Sequence, residues 1–336
     1  MFQNKSPRYE ILSQDAMAVL DKGWRRIVSE MGIEFMHDRA LDMFRAAGQK
    51  VEGNNVKFDP DWILAQVAQA PSEFTLQARN PNNNVNIGGD NMVFGGVYGP
   101  PFVRDLGVRR DGTLDDFRNL TKLTQMFTDL DVASSVVVEP NDADLDTRHI
   151  DMIYSCQTLS DKAFMGNVVT GPNARDTIKM TEIVFGGRAN IEKTPAIISL
   201  INCNSPLRWD DRMLDSLFEY SEAGQPCVLT PFLLMGAMSP VTIPASLVQQ
   251  IAEALSGIAL VQLVRPGCPV VFGSFLSNID MQSGSPMFGT PESAMGLLCT
   301  GQVARHFNLP FRGGGGLNAA QTVDAQAGYQ TLMTMH

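Results

Sequence analysis

Six apolar runs alternate with amphipathic stretches of helical length through the last two thirds of the chain. Strands buried on both faces are continuously apolar, and helix-length crossovers between them are typical of a parallel sheet. The runs are SSVVVEPND (134–142), KAFMGNVVTGPN (162–173), TPAIISLINCNSP (194–206), QPCVLTPFLLMGAMSP (225–240), CPVVFGSFLSNID (268–280) and LPFRGGGGLN (309–318). This repetition favours the α/β class and, within it, a TIM (β/α)8 barrel. Only about six units are present, so we expect an incomplete barrel whose full gene product adds two more strands.

The first 110 residues have a different pattern. They predict three helices followed by short antiparallel segments separated by Asn- and Gly-rich turns. The helices are expected from a cap at Ser13 to about Met31, over His37–Ala47, and over Pro60–Ala70 after Asp59. We therefore predict a helical and antiparallel region at 1–110, packed on a partial barrel at 111–336.

Two helix starts in the second region have recognisable capping sequences. Asn173, with Asp176 three residues later, resembles a capping box. Thr290 precedes Pro291, a favoured residue at the first helical position. Both predict helix N-termini within the partial barrel.

Composition restricts the partners and the compartment. The formal net charge of −10 disfavours nonspecific binding to nucleic acid, which needs clustered Lys and Arg. No run reaches the ~20 apolar residues of a membrane span, and the N-terminus lacks the apolar core of a signal peptide. Five dispersed cysteines are typical of reduced, buried thiols. We expect a cytoplasmic protein that binds neither nucleic acid nor membrane.

Three segments together resemble the trimethylamine methyltransferase family, and the resemblance covers essentially the whole chain. They are FGGVYGPPFVRDLGVRRDGTLDDFRNLTKL (94–123), VVVEPNDADLDTRHIDMIYSCQTLSDKAFMGN (136–167) and DAQAGYQT (324–331). The resemblance implies a TIM barrel and transfer of a methyl group from a methylated amine to cob(I)alamin on a cognate corrinoid protein. The amine would be trimethylamine or a quaternary amine such as glycine betaine. We also expect a homo-oligomer.

The resemblance further implies that family members continue beyond position 336. The position that separates the pyrrolysine branch from the non-pyrrolysine branch lies in that continuation. Two explanations stay open for the end of this chain: a sequence fragment, or translation that stops at or near an amber codon.

Catalytic residues of TIM barrels lie at the C-terminal ends of the strands. This rule selects Glu139 and Asn141 after the first strand, Asn204 after the third and Asp280 after the fifth as substrate-binding candidates. Glu139 could hold a trimethylammonium group, or it could equally accept backbone N–H groups in a loop.

Aromatic candidates accompany these polar residues. Phe232 and Phe275, with Tyr98, could attract a quaternary ammonium ion through their ring faces. Phenylalanines in such positions are more often plain core residues.

The run Gly313–Gly316, followed by Asn318, is the predicted contact with the corrinoid. Backbone without side chains lets a large flat ligand approach closely, whereas the alternative is a tight turn. No catalytic residue is assigned, because no Ser/His/Asp or Cys/His arrangement rises above chance.

Zinc is not expected, because the four histidines lack the spacing of metal ligands and His149 is predicted on a solvated helix. One alternative function is a barrel lyase or aldolase acting on a phosphorylated metabolite, which would need a strand-borne Lys or a metal cluster. Its candidates, Lys162 and Lys193, fall at the N-terminal edges of strands. A third possibility is a truncated product that cannot turn over.

Overall fold

The computed structural model describes residues 2–105, 107–133 and 136–335. The helices are α1 (Gln14–Arg26), α2 (Asp38–Ala46), α3 (Pro60–Val67), α4 (Leu114–Met126), α5 (Arg148–Leu159), α6 (Gly171–Phe185), α7 (Arg188–Lys193), α8 (Asp211–Glu222), α9 (Ile243–Val264), α10 (Pro291–His306) and α11 (Ala325–Met335). The strands are β1 (Phe2–Gln3), β2 (Ile33–Phe35), β3 (Lys50–Glu52), β4 (Asn55–Lys57), β5 (Glu73–Leu76), β6 (Val85–Gly88), β7 (Asn91–Met92), β8 (Phe102–Asp105), β9 (Val108–Asp111), β10 (Val132–Ala133), β11 (Ala163–Met165), β12 (Ile197–Cys203), β13 (Arg208–Trp209), β14 (Cys227–Met235), β15 (Val270–Gly273), β16 (Phe275–Ile279), β17 (Pro286–Met287) and β18 (Phe311–Arg312). A π-helical turn, Ile27–Met31, continues α1.

The chain forms two compact units. The first comprises residues 1–6, 72–200 and 215–227, and the second comprises 7–71, 201–214 and 228–336. The boundary predicted near residue 110 is not one of these limits. Residue 110 lies instead at the end of the antiparallel β8–β9 hairpin, shortly before the start of α4. The division of the chain at this residue stays a prediction.

The first unit has a parallel α/β arrangement. Strand β10 pairs with β11, and β11 pairs with β12, both in parallel. Helices α4, α5 and α6 pack side by side, as crossovers between parallel strands do. Its core joins Phe117 of α4, Met152 and Cys156 of α5, and the buried turn 136–138.

That turn corrects the first predicted strand, at 134–142. The strand itself is β10, which ends at Ala133, and Ser134 and Ser135 lie outside the described residues. The apolar residues 136–138 are buried, but their backbone bonds a loop instead of a neighbouring strand. Gly99 N donates to Val136 O (2.8 Å) and Glu139 N donates to Pro100 O (2.9 Å). Residues 136–138 are apolar because they are buried, and not because they belong to a strand.

The second unit is built around α9, which packs against α1 and α3. Of the described part of the chain, α9 is the one helix long and apolar enough to cross a membrane, but 83% of its most apolar window is buried inside the protein. A Cβ on Gly23 of α1 would lie 2.7 Å from a Val248 methyl of α9, so glycine permits this close helix contact. Helix α9 is thus a core helix.

The fifth predicted strand is split in two in the second unit. Strand β15 pairs in parallel with β18, whereas β16 pairs in parallel with β14 and antiparallel with β17. The chain changes partners at Ser274, whose N–H donates to Arg312 O (3.0 Å) and whose hydroxyl accepts from Gln250 Nε2 (2.9 Å). This split places the ring of Phe275 beside β14.

Most predicted helix starts are confirmed. Ser13, Asp59 and Thr290 each cap a helix through a side-chain oxygen. The start of α6 differs from the prediction, because Thr170 caps it by accepting from Asn173 N (3.3 Å) and Asn173 lies inside the first turn. Pro172 fits that turn because it has no N–H to satisfy. The α/β class with parallel strands is confirmed.

Candidate functional site

An aromatic stack lies in the second unit, between the paired strands β14 and β16. Phe232 and Phe275 are register partners, and their rings stack with centroids 4.7 Å apart at 23°. Phe288 meets Phe275 edge-on at 5.1 Å. Phe232 and Phe275 both keep partly exposed surface. The structure therefore brings two predicted residues together and adds Phe288, which sequence reasoning missed although it directly precedes the Gly289–Thr290 helix start.

A small cavity borders this stack. It has a volume of about 30 Å³ and is lined by Phe275, Phe288, Leu297, Gly314 and Leu317, among others. That is room for solvent, not for a trimethylammonium group. A quaternary ammonium ion would have to meet the partly exposed faces of the stack instead.

The glycine run packs against the protein's own side chains. A Cβ on Gly313 would lie 2.5 Å from Leu297 Cδ1, and one on Gly315 would collide with Met335 Sδ. Gly316 has a φ of +73°, which favours glycine directly. Neighbouring side chains already fill most of the space into which a side chain on the run would point. A corrin ring could therefore meet the run only from the opposite side, which we call its backbone side. The predicted corrinoid contact stays a prediction.

Three of the polar candidates in the second unit stabilise loops. Asn204 N donates to Arg208 O (2.8 Å), and its Oδ1 accepts from Asp210 N (3.3 Å). Asn318 Nδ2 donates to Thr331 Oγ1 (3.3 Å). Asp280 closes a turn by accepting from the Ser283 hydroxyl and from the backbone N–H of Gln282, and these bonds hold the pKa of its exposed carboxyl below the usual range. None of these contacts tests a role in substrate binding.

Glu139 and Asn141 lie in the first unit. The Glu139 carboxylate pairs with Arg148 (Oε2 to Nη2, 3.3 Å), and both side chains are about one-fifth exposed. Asn141 Nδ2 donates to Pro101 O (2.9 Å). Arg148 thus offsets the charge that Glu139 would offer to a cationic substrate. The substrate role of both residues stays a prediction.

His149 is not solvated, contrary to the prediction. It is 4% exposed, and its Nε2 lies 3.1 Å from Asp176 Oδ2. Because α5 packs against α6, the side of α5 that carries His149 is covered, although the surrounding sequence is acidic. Its Nδ1 has no hydrogen-bond partner among the described residues.

Glu253 is a buried carboxyl group that sequence reasoning missed. It accepts from Ser205 Oγ (2.6 Å), Leu207 N (2.7 Å) and Gln249 Nε2 (2.8 Å), so α9 holds the β12–β13 connection that carries Asn204. Burial raises the pKa of Glu253. The available signal was a lone acid in the otherwise apolar run of α9.

Thiols and metal ligands form no reactive cluster in the part of the chain that the structure describes. No group of three or more His, Cys, Asp or Glu side chains is placed to hold a metal ion there. All five cysteines are buried, and burial raises the pKa of Cys156 to about 12 and that of Cys227 to about 11. A thiolate nucleophile is therefore disfavoured at these two positions.

Comparisons with known proteins give a consistent result. The family profile of trimethylamine methyltransferase (MTTB) matches residues 1–336. Glycine betaine methyltransferase of Desulfitobacterium hafniense (strain Y51) is 42% identical over 330 residues, which cover 98% of this chain and 69% of that protein. Proline betaine:corrinoid methyltransferase of Eubacterium limosum is 25% identical over 347 residues, which cover 100% and 70%.

The fold has a solved counterpart as well. The crystal structure of the Methanosarcina barkeri monomethylamine methyltransferase (MtmB) matches 97% of this chain and 74% of that one, with a TM-score of 0.55 and 12% identity. At that identity the likeness concerns the fold alone. The family profile and the betaine relative confirm what the three sequence segments predicted: this chain belongs to the trimethylamine methyltransferase family.

Proposed function

We propose that this protein transfers a methyl group from a quaternary amine of the glycine betaine type to cob(I)alamin carried by a separate corrinoid protein. The relative at 42% identity acts, by its name, on glycine betaine. The observation in this chain that carries the choice of a quaternary amine is the stack of Phe232 on Phe275. A ring face attracts such a cation by ~0.5 to 2 kcal/mol.

The chemistry demands little acid or base catalysis from the chain. When the N–CH3 bond of a quaternary amine breaks, its electron pair stays on nitrogen and a neutral tertiary amine leaves. No proton has to be delivered, in contrast to a tertiary amine, which must first be activated. The task of the residues is to hold the methyl group in line with the nucleophile and to exclude water.

The corrinoid acts here as the methyl acceptor and belongs to the partner protein. When bound, it supplies the Co(I) nucleophile. In this chain the backbone side of the Gly313–Gly316 run is the surface we assign to that contact, since the opposite side is packed against Leu297 and Met335. Zinc has no role in the proposal, because a quaternary amine needs no deprotonation.

Further parts of the proposal concern the whole protein. We infer that the parallel strands belong to a TIM (β/α)8 barrel, and that the protein is a homo-oligomer in the cytoplasm. A lyase or aldolase using Lys162 is disfavoured, because its Nζ donates to Thr124 O (2.8 Å), Phe127 O (2.6 Å) and Leu130 O (2.6 Å).

The test is product formation by the purified chain. Glycine betaine and cob(I)alamin, free or on a corrinoid protein, should give dimethylglycine in amounts equal to the methylated corrinoid. Trimethylamine should give much less dimethylamine. Omitting cob(I)alamin is the control. Turnover of trimethylamine with none of glycine betaine would refute the choice of substrate, and turnover of neither would refute the proposed activity.

A further inference from the structure

The β8–β9 hairpin of the first unit turns one of its two faces towards the protein. Val103 packs against the core cluster of that unit. Its register partner, Arg110, pairs with Asp116 of α4 (Nη2 to Oδ1, 2.8 Å). Residues opposite each other in an antiparallel pair share a face, and successive residues along a strand alternate between faces. The side that carries Val103 and Arg110 is therefore the inner face of the hairpin.

The other side, the outer face of the hairpin, carries two arginines directly across from each other. Arg104 and Arg109 are register partners, and both are exposed. The Arg109 guanidinium lies over the ring of Phe102, with its Cζ 3.8 Å from the ring centroid, which confirms that the two share this face. The ring is 42% exposed. Asp111, the register partner of Phe102, completes the face.

The two outer arginines have no carboxylate partner among the described residues. Of the three arginines in the hairpin strands, Arg110 alone forms an ion pair there. Arg104 makes one long contact, from Nη1 to Gly107 O (3.4 Å), and Arg109 stacks on the ring. Like charges directly opposite each other destabilise a strand pair. An anionic partner that covers the outer face would therefore stabilise the hairpin.

An acidic loop, residues 142–146, is attached to the base of this hairpin. Asn141 joins the two, because its Nδ2 donates to Pro101 O (2.9 Å) and its N donates to Gly112 O (2.8 Å). The loop places three aspartates in five residues, and all three are exposed. Leu145 is 72% exposed between the last two of them. The first unit thus carries a cationic face and an anionic loop side by side.

The negative charges of the acidic loop are not offset by a cation among the described residues. Asp142 Oδ1 accepts from Leu114 N (2.8 Å), and Asp144 Oδ1 accepts from Asp146 N (2.8 Å). Arg148, which follows the loop, is paired with Glu139 instead. The loop therefore offers its carboxylate charges to a partner from outside the unit.

We propose that two copies of this chain associate about a twofold axis, with the outer face of each hairpin on the acidic loop of the other copy. This inference rests on the homo-oligomer proposed above and names the surface that forms it. Two copies with a net charge of −10 repel each other overall, so contact is favoured where a cationic patch meets an anionic one. A twofold interface uses the same surface on both copies and must be self-complementary. This surface meets that condition, because each copy supplies both halves.

The exposed apolar side chains fit the same pairing. Phe102 lies among the arginines of the outer face, and Leu145 lies between two aspartates of the loop. Aromatic residues and arginine are enriched in protein interfaces and carry much of their binding energy. We therefore expect Phe102 of one copy to contact Leu145 of the other, with the opposite charges meeting around this contact.

The experiment is sedimentation velocity of the purified chain and of two charge-reversed variants. The hairpin variant carries Arg104→Glu with Arg109→Glu. The loop variant carries Asp144→Arg with Asp146→Arg. Each variant alone should sediment as a smaller species than the native chain, with the Kd of self-association raised about 100-fold or more, because every repulsive contact occurs twice in a twofold interface. Lys122→Glu, at an exposed position on α4 of the same unit, is the matched control and should leave the Kd unchanged.

An equimolar mixture of the two variants gives the sharpest result. The reversed hairpin of one variant meets the reversed loop of the other, and the unchanged hairpin meets the unchanged loop. Both contacts are attractive again, so the mixture should associate although neither variant does so alone. If the loop variant does not fold, Asp146→Arg takes its place, since the Asp146 side chain makes no hydrogen bond among the described residues.

The other outcomes separate this inference from the proposed homo-oligomer. A native chain that sediments as a monomer overturns both. Native association that the hairpin variant leaves unchanged overturns the surface, and the homo-oligomer stands. If that variant then also loses methyl transfer to the corrinoid protein, the outer face binds that protein instead. Variants that dissociate alone and stay apart when mixed show that hairpin and loop do not face each other, which overturns the inference as well.

Discussion

Replacement of Phe232 by leucine tests whether the aromatic stack acts through its ring electrons or merely fills space. Leucine keeps most of the apolar contact with a ligand but has no ring quadrupole. Because Phe275 is stacked on one face of Phe232, a single face is left for the cation. The loss should be one cation–π interaction, ~0.5 to 2 kcal/mol, or about 2- to 30-fold in Kd.

The assay compares two ligands of nearly the same shape. Glycine betaine carries a trimethylammonium group, and 3,3-dimethylbutyrate carries a neutral tert-butyl group in its place. Phe232→Leu should raise the Kd for glycine betaine by about 2- to 30-fold and leave the Kd for 3,3-dimethylbutyrate almost unchanged. Phe307→Leu, at another half-buried ring of the same unit, is the matched control. Equal losses for both ligands would show that the ring only packs, and the reasoning from charge would be refuted.

Four further substitutions test single features. Lys162→Met leaves three carbonyl groups at the end of α4 without their donor and should lower the free energy of unfolding by about 3 kcal/mol in urea; an unchanged midpoint would contradict this. Because burial raises the pKa of Glu253, its contribution to the free energy of unfolding is complete below the unfolded value of 4.5 and is lost as the pH rises through the folded pKa. The stability of the native chain relative to Glu253→Gln should therefore fall as the pH rises above 4.5. The opposite slope would refute the assigned pKa shift. A methyl group at Gly315→Ala would press against Met335 Sδ and displace the run, so it should slow methyl transfer to the corrinoid protein with amine binding intact, whereas a sharp fall in Tm with normal turnover per folded molecule would assign the run to packing. Glu139→Gln should weaken amine binding with little change in Tm, because its ion pair with Arg148 is partly exposed, and unchanged calorimetry would leave it a loop residue.

Local sequence determined the elements that depend on neighbours along the chain. The caps at Ser13, Asp59 and Thr290 were predictable because a side-chain oxygen satisfies an N–H two or three residues away. Apolar runs likewise marked the parallel strands, since burial on both faces leaves few polar positions. These patterns, with the three family segments, were enough for fold class and family.

The tertiary structure decided which groups meet. The sequence around His149 is acidic and looked solvated, yet α6 covers that side of α5. The residues 136–138 looked like a strand, but their carbonyl and N–H groups bond a distant loop. Phe232 and Phe275 are far apart in sequence, and their rings stack because β14 pairs with β16. Hydrophobic periodicity records that a residue is buried, but the partner that buries it depends on contacts between residues far apart in the chain.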